Sequence, residues 1–313
     1  MNENEIIADV IIIGGGPAGL SAALWCCELG MKTILFEKET EFGGQLLSIY
    51  NPIKNYIGVE TGNGRELRDL FLKSVENRDF LRRLEADVAE INVTNKTAVL
   101  RSGEIFTYKA LIVATGVRRR KLGVYGEEEL QGRGIIDSGS KYREKAAGKT
   151  VVIVGGGDAA IENALILSEY AAKVYVVHRR NSFRARDEFL QQARQHPRIE
   201  LLTNAEPGKF TGAQTLESVE IKDLQTGEVK MLPADIALIR IGVEPNTEML
   251  RSQLDLDPNG YIMINAHCET NIMGIYAIGD AANPKSPTIS TAAGTAAVAA
   301  KSAFNWTTQN KPV

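Results

Sequence analysis

Two stretches of the chain carry the same pattern of apolar and polar positions. In each, a run of β-branched residues (Val10 to Ile13, then Val151 to Val154) meets a knot of glycines and passes into alanine-rich sequence. That pattern predicts a buried strand, a tight turn and a helix. A second apolar run follows each unit, Thr33 to Phe36 and Lys173 to Val177. Further strands are expected at Ala110 to Val113 and at Asp235 to Ile241, each ending at a glycine turn. Gly274 to Asp280 and a small-residue helix from about Ser290 complete the series.

The turns read Ile13-Gly14-Gly15-Gly16-Pro17-Ala18-Gly19 and Val154-Gly155-Gly156-Gly157-Asp158-Ala159-Ala160. Glycines between a strand and a helix let the backbone approach a pyrophosphate, which rests on the N–H groups of the helix N-terminus. Two copies in matching contexts predict two bound dinucleotides. Glu37 and His178 stand at the same distance beyond Gly14 and Gly155. An acid there accepts hydrogen bonds from a ribose diol and repels a 2′-phosphate, so FAD or NAD fits the first site. In the second, His178 is followed by Arg179 and Arg180, with Arg184 close behind. Guanidinium groups match a 2′-phosphate, which points to NADPH. A solvated arginine cluster at a strand end is the other reading.

The length of 313 residues allows two cores of ordinary size. A net charge of −3 gives no sign of a nucleic-acid binder. The apolar stretch from Ala8 to Met31 approaches membrane-spanning length, but Gly14 to Pro17 interrupt it. The acidic start, Met1 to Glu5, differs from a secretory leader, and with three cysteines the expected location is the cytoplasm. No metal-ligand cluster stands out. The fold expected is α/β, with two Rossmann-like, three-layer ββα dinucleotide-binding domains, the second inserted in the first. Residues 1–117 and 246–313 would bind FAD and residues 118–245 NAD(P)H, with a two-strand hinge between them.

Across nearly its whole length the chain resembles the low-molecular-weight thioredoxin reductase group of flavoproteins. The resemblance rests on Gly43-Gly44-Gln45-Leu46, Ala114-Thr115-Gly116, Gly126 to Glu129 with Gly132-Arg133-Gly134, His178 to Arg180 with Phe183-Arg184, Gly242 to Thr247, and Gly279-Asp280. It implies that Gly14, Gly16, Pro17, Ala18, Gly19 and Glu37 hold FAD. Gly44, Gln45, Leu46 and Asn55 would line the flavin with the Ala114-Thr115-Gly116 turn nearby. Asp280 would bond the ribityl chain, Val88 would meet the adenine through its backbone, and Thr288 and Ile289 would approach the pyrimidine end. Gly155, Gly157, Asp158, Ala159, Ala160, His178, Arg179, Arg180 and Arg184 would hold NADPH. A homodimer is also implied.

One departure bears on function. Where that group carries Cys-x-x-Cys, this chain has Ser138-Gly139-Ser140-Lys141, and no cysteine lies between Cys27 and Cys268. A thiolate pair is what takes electrons from reduced flavin to a disulfide, and hydroxyls and an amine cannot. Adjacent Cys26 and Cys27 are poorly placed to bridge. Helical spacing from Leu20 and Leu24 gives Cys27 a place in the core, and Cys268 is read as inert. Relatives without the pair include thioredoxin-reductase-type ferredoxin–NADP⁺ reductases. Phe42 to Tyr50 and Pro287-Thr288 resemble them, which makes Tyr50 a candidate flavin-stacking residue, with a tyrosine packed in a loop as the alternative. Their usual extension past the last helix is not matched by the short polar tail Thr307 to Val313. Arg118 to Lys121 would dock an acidic electron carrier or form a solvated face. Three functions therefore stand: electron delivery to a carrier protein or small acceptor, reduction of a low-molecular-weight disulfide directly at the flavin, or a non-enzymatic or pyridine-nucleotide-independent role.

Overall fold

The computed structural model describes residues 6–309. The acidic stretch Met1 to Glu5 and the last four residues of the expected tail lie outside them. The chain opens with β1 (Ile6–Ile13), α1 (Pro17–Glu28), β2 (Thr33–Phe36), α2 (Gly64–Val75), β3 (Leu81–Arg83), β4 (Val88–Asn92), β5 (Thr97–Leu100) and β6 (Ile105–Val113). β1 pairs in parallel with β2 and β6, and β2 with β3. β4, β5 and β6 form an antiparallel meander. Strands buried on both faces are apolar without alternation, and Ile11, Ile12, Leu35, Leu111 and Ile112 are fully buried.

β7 (Val117–Arg119) leads into a second unit and β16 (Val243–Pro245) leads out of it; between them come β8 (Ile135–Ile136), α3 (Gly139–Tyr142), β9 (Thr150–Val154), α4 (Asp158–Ser168), β10 (Lys173–Val177), α5 (Asp187–Gln195), β11 (Ile199–Leu202), β12 (Ala205–Thr211), β13 (Ser218–Asp223), β14 (Val229–Pro233) and β15 (Ile236–Ile239). Its parallel sheet runs β11-β10-β9-β15-β8, and β12-β13-β14 form an antiparallel sheet. The chain then adds β17 (Ile275–Ala277), parallel to the end of β6, and α6 (Ile289–Gln309). Two compact units result: residues up to 118 together with those from 244 on, and Arg119–Val243. Each is a parallel sheet with helices and an antiparallel meander, the α/β architecture expected.

In the first unit small side chains let α1 and α6 approach closely. Ala22, Ala23 and Cys26 share a core with Ala292, Ala296, Ala299, Ala300 and Ala303. The expected place of Cys27 is found, half-buried and packed against this core beside Leu24, while Cys26 is the more deeply buried of the two. Leu20 is buried in the same core and Leu24 packs against it, so the small residues and the leucine stripe both face it. The polar tail needs correction. α6 continues to Gln309, Thr307 is buried, and Trp306 Nε1 donates to Lys109 O at 3.2 Å. Among the described residues no helix is long and apolar enough to cross a membrane.

Candidate functional site

The first glycine turn is shaped by close approaches that only glycine allows. Gly14 has φ of 105°, and a Cβ on it would lie 2.4 Å from Ala114 O. A Cβ on Gly19 would lie 1.8 Å from Gly14 O, so α1 is pressed onto the turn. Gly16 differs: its nearest neighbour would be Gly44 Cα at 3.8 Å, which leaves the helix entrance open to a ligand. Glu37 is buried, and its two carboxylate oxygens accept the Gly15 and Glu39 N–H groups at 2.8 and 3.0 Å. That fixes the carboxylate at the turn while leaving lone pairs for hydroxyl donors.

Other expected residues gather on the same unit. Gly44 rests against Gly16, and Gln45 Nε2 donates to Val117 O at 2.7 Å. Thr115 Oγ1 donates to Asn246 O and Asn246 Nδ2 donates to Thr115 O, both at 2.8 Å, so the Ala114-Thr115-Gly116 turn is bolted to the Pro245-Asn246 segment. A Cβ on Gly279 would come within 2.9 Å of Ala18 Cβ, which sets Asp280 beside the first turn of α1. The Asp280 carboxylate accepts no hydrogen bond from the described residues, and burial raises its pKa above the usual carboxylate value. It suits a hydroxyl donor. Val88 is buried at the start of β4, two residues past Ala86, whose N–H bonds Glu37 O. Leu46 is buried with Ile53 and Leu67, and Ile289 packs on that cluster, so these side chains underlie the loop as core. Thr288 Oγ1 accepts the Thr291 N–H at 3.1 Å and caps α6. Tyr50 and Asn55 stand exposed on the loop after Ser48.

The second turn repeats the device with different contents. A Cβ on Gly155 would lie 2.1 Å from Arg240 O, whereas Gly157 has nothing within 4 Å. Ala160 takes the place of Gly19 and is fully buried, and Ala159 is exposed. The His178 ring fills the space over Gly156, where a Cβ would meet it at 2.3 Å, and stacks on Phe183 at 5.1 Å. His178 Nε2 is buried without a partner. Burial, helped by the charges of Arg180, Arg184 and Arg179, lowers the His178 pKa and outweighs a bond with the Ser182 backbone. The three arginines are exposed around it. Arg184 N–H donates to Gly156 O at 2.7 Å, which ties that arginine's backbone to the turn. Asp158 accepts Arg186 N–H and Nε at 2.7 and 3.0 Å.

Residues 8–302 match the family model for the pyridine nucleotide-disulphide oxidoreductases. The chain belongs to this family. It is 34% identical over 313 residues to a thioredoxin reductase of Mycolicibacterium smegmatis, covering 98% of both chains. Among solved structures it is similar to the thioredoxin reductase of Lactococcus lactis, with a TM-score of 0.84 and 31% identity over 96% of this chain and 99% of that one. The T. acidophilum thioredoxin reductase gives a TM-score of 0.81 at 28% identity, over 97% and 99%. Within this family the chain is an NAD(P)H-dependent flavin oxidoreductase of the thioredoxin reductase type, and the family uses FAD and NADPH.

The thiols of this family member are quiet. All three are free. Burial raises the pKa of each: Cys26 far above the usual thiol value, Cys27 by less, and Cys268 to about 11. Such groups hold little thiolate at neutral pH. The arginine run is only partly open. Arg118 bonds Asn246 and pairs with Glu244 at 2.7 Å and with Glu248, and Arg120 Nε donates to Val243 O. Phe42 under Gly15 and Asn246 opposite Thr115 stood within the sequence motifs without a role of their own, and Arg240 beside Gly155 was missed from sequence. A lone charge closing the apolar run before Gly242 was a visible signal for the last.

Proposed function

We propose that this family member is an FAD-dependent NADPH oxidoreductase that passes electrons from flavin to an external acceptor without an internal redox-active disulfide. The observation that carries the reading is the thiol inventory: no Cys-x-x-Cys exists in the chain, and its three cysteines are free, with pKa values raised by burial. The first unit is the FAD domain in this reading. Gly16 leaves room for the pyrophosphate, Glu37 receives the ribose diol, and Asp280 receives a ribityl hydroxyl. The second unit is the NADPH domain, in which Gly157 admits the pyrophosphate and Arg179, Arg180 and Arg184 surround the 2′-phosphate. When bound, FAD supplies a ring that accepts a hydride from NADPH and releases electrons singly or as a pair.

The acceptor is a ferredoxin- or flavodoxin-like carrier or a small molecule, and the enzyme works as a cytoplasmic homodimer. Tyr50, exposed near Gly44, is the candidate ring to stack on the flavin. The test is a panel of acceptors offered to the purified enzyme with NADPH. Reduction of an acidic carrier or a small acceptor, with no thioredoxin turnover and no loss when all three cysteines become serine, is expected. Thioredoxin turnover that disappears in the cysteine-free variant would sink the reading, and turnover confined to a low-molecular-weight disulfide would move the acceptor to that class.

A further inference from the structure

Arg240 is the only lysine or arginine among the described buried residues. It follows β15, which lies between β9 and β8 in the second sheet. Its N–H donates to Val154 O at 2.6 Å and its carbonyl walls the Gly155 turn. The guanidinium reaches the β8 side, where Nη2 donates to Asp137 O at 2.6 Å and Nη1 to Ile239 O at 2.9 Å. Both acceptors are neutral, and among the described residues no carboxylate pairs with Arg240. Burial and the nearby charge of Arg119 push its pKa down to about 10, against the opposing charge of Asp137. Two guanidiniums and one carboxylate therefore share this corner, with Arg240 buried and Arg119 and Asp137 exposed at its edge, an excess of positive charge that favours a counter-ion and that solvent can reach.

The corner also lies where a ligand is expected. β10 and β11 stand on one side of β9, and β15 and β8 on the other. Ligands of open parallel sheets bind at the carboxyl ends of the strands where the order reverses. Arg179, Arg180 and Arg184 follow β10 on the first side, and Arg240 follows β15 on the second. We propose that Arg240, with Arg119 beside it, forms an oxyanion subsite that takes the phosphate on the nicotinamide half of the second dinucleotide. The proposal rests on the NADPH reading of this unit and divides its recognition: one arginine group reads the 2′-phosphate and the other holds the far phosphate.

Calorimetric titration of the FAD-loaded enzyme with NADP⁺, 2′,5′-ADP (which lacks the nicotinamide half) and inorganic pyrophosphate tests it. Arg240→Met should weaken NADP⁺ and pyrophosphate about tenfold and leave 2′,5′-ADP within about twofold, whereas Arg179→Ala with Arg184→Ala should chiefly weaken 2′,5′-ADP and NADP⁺. Unchanged NADP⁺ and pyrophosphate affinity, or 2′,5′-ADP weakened in step with NADP⁺, would overturn the subsite. If Arg240→Met does not fold, Arg119→Met carries the same comparison, with about a threefold loss expected and no loss overturning it. A wild-type enzyme that binds pyrophosphate through Arg240, but neither NADP⁺ nor 2′,5′-ADP, would uphold the oxyanion subsite and remove the NADPH reading instead.

Discussion

The two glycine turns share a backbone and differ in what closes them. At the first, the acid at the end of β2 accepts the Gly15 and Glu39 N–H groups. At the second, the residue in the place of Glu37 is His178, whose ring fills the space over Gly156 that the Phe42 ring fills over Gly15, with arginines around it. In the proposed reading the backbone takes what all dinucleotides share, a pyrophosphate, and the side chain after the second strand takes what differs between them. A second contrast lies at the helix. Gly19 is forced by a backbone oxygen 1.8 Å from its would-be Cβ, while Ala160 is tolerated at the equivalent place.

That contrast sets the largest expected effect. Gly19→Ala should destabilise the first unit by about 3 kcal/mol and release FAD, because the turn cannot retreat from α1. Ala160→Gly should cost only about 1 kcal/mol. Thermal unfolding of the two variants compares them, and equal losses would mean that the turns are packed alike. Next in size, Arg179→Ala with Arg184→Ala should raise the NADPH KM roughly 30-fold and the NADH KM by less than about twofold, since only a 2′-phosphate loses charge-assisted bonds. Parallel effects on both would remove the 2′-phosphate assignment. Glu37→Gln should then weaken FAD about tenfold in apoprotein reconstitution, with NADPH affinity unmoved. A loss of NADPH affinity instead would break the division of labour.

The smallest effect concerns pH. The folded-state pKa of His178 lies below its ordinary value of 6.5. The unfolded chain therefore binds the proton more readily, and the neutral ring contributes stability that is complete above pH 6.5 and lost as pH falls through the folded pKa. Melting temperatures from pH 7.5 down to 5.5 should fall more steeply for the wild type than for His178→Phe. Identical slopes would show that the ring is not held neutral by the fold.

The glycine turns and the strands before them could be read directly, because φ-permissive spacing and β-branched runs are local signals. Thr33–Phe36 and Lys173–Val177 are found as strands with those bounds. Side-chain direction was less legible. The leucine spacing of α1 found Leu20 in the core with Leu24 and Cys27 against it, but gave no sign of the packing of Ala22, Ala23 and Cys26 with the alanines of α6. Arg240 was passed over because its meaning depends on Asp137 and Arg119, more than a hundred positions away in the chain and adjacent in space. Asp280 was named through the family resemblance; its unpartnered, half-buried carboxylate supplies the physical reason that the sequence alone did not contain.

The central claim is that electrons leave the flavin with no sulfur relay inside the chain, and anaerobic reductive titration of the holoenzyme tests it most directly. FAD alone takes up two electrons, and a redox-active disulfide beside it adds two more. Complete reduction at about two electrons per FAD is the expected result. An end point near four would contradict the account.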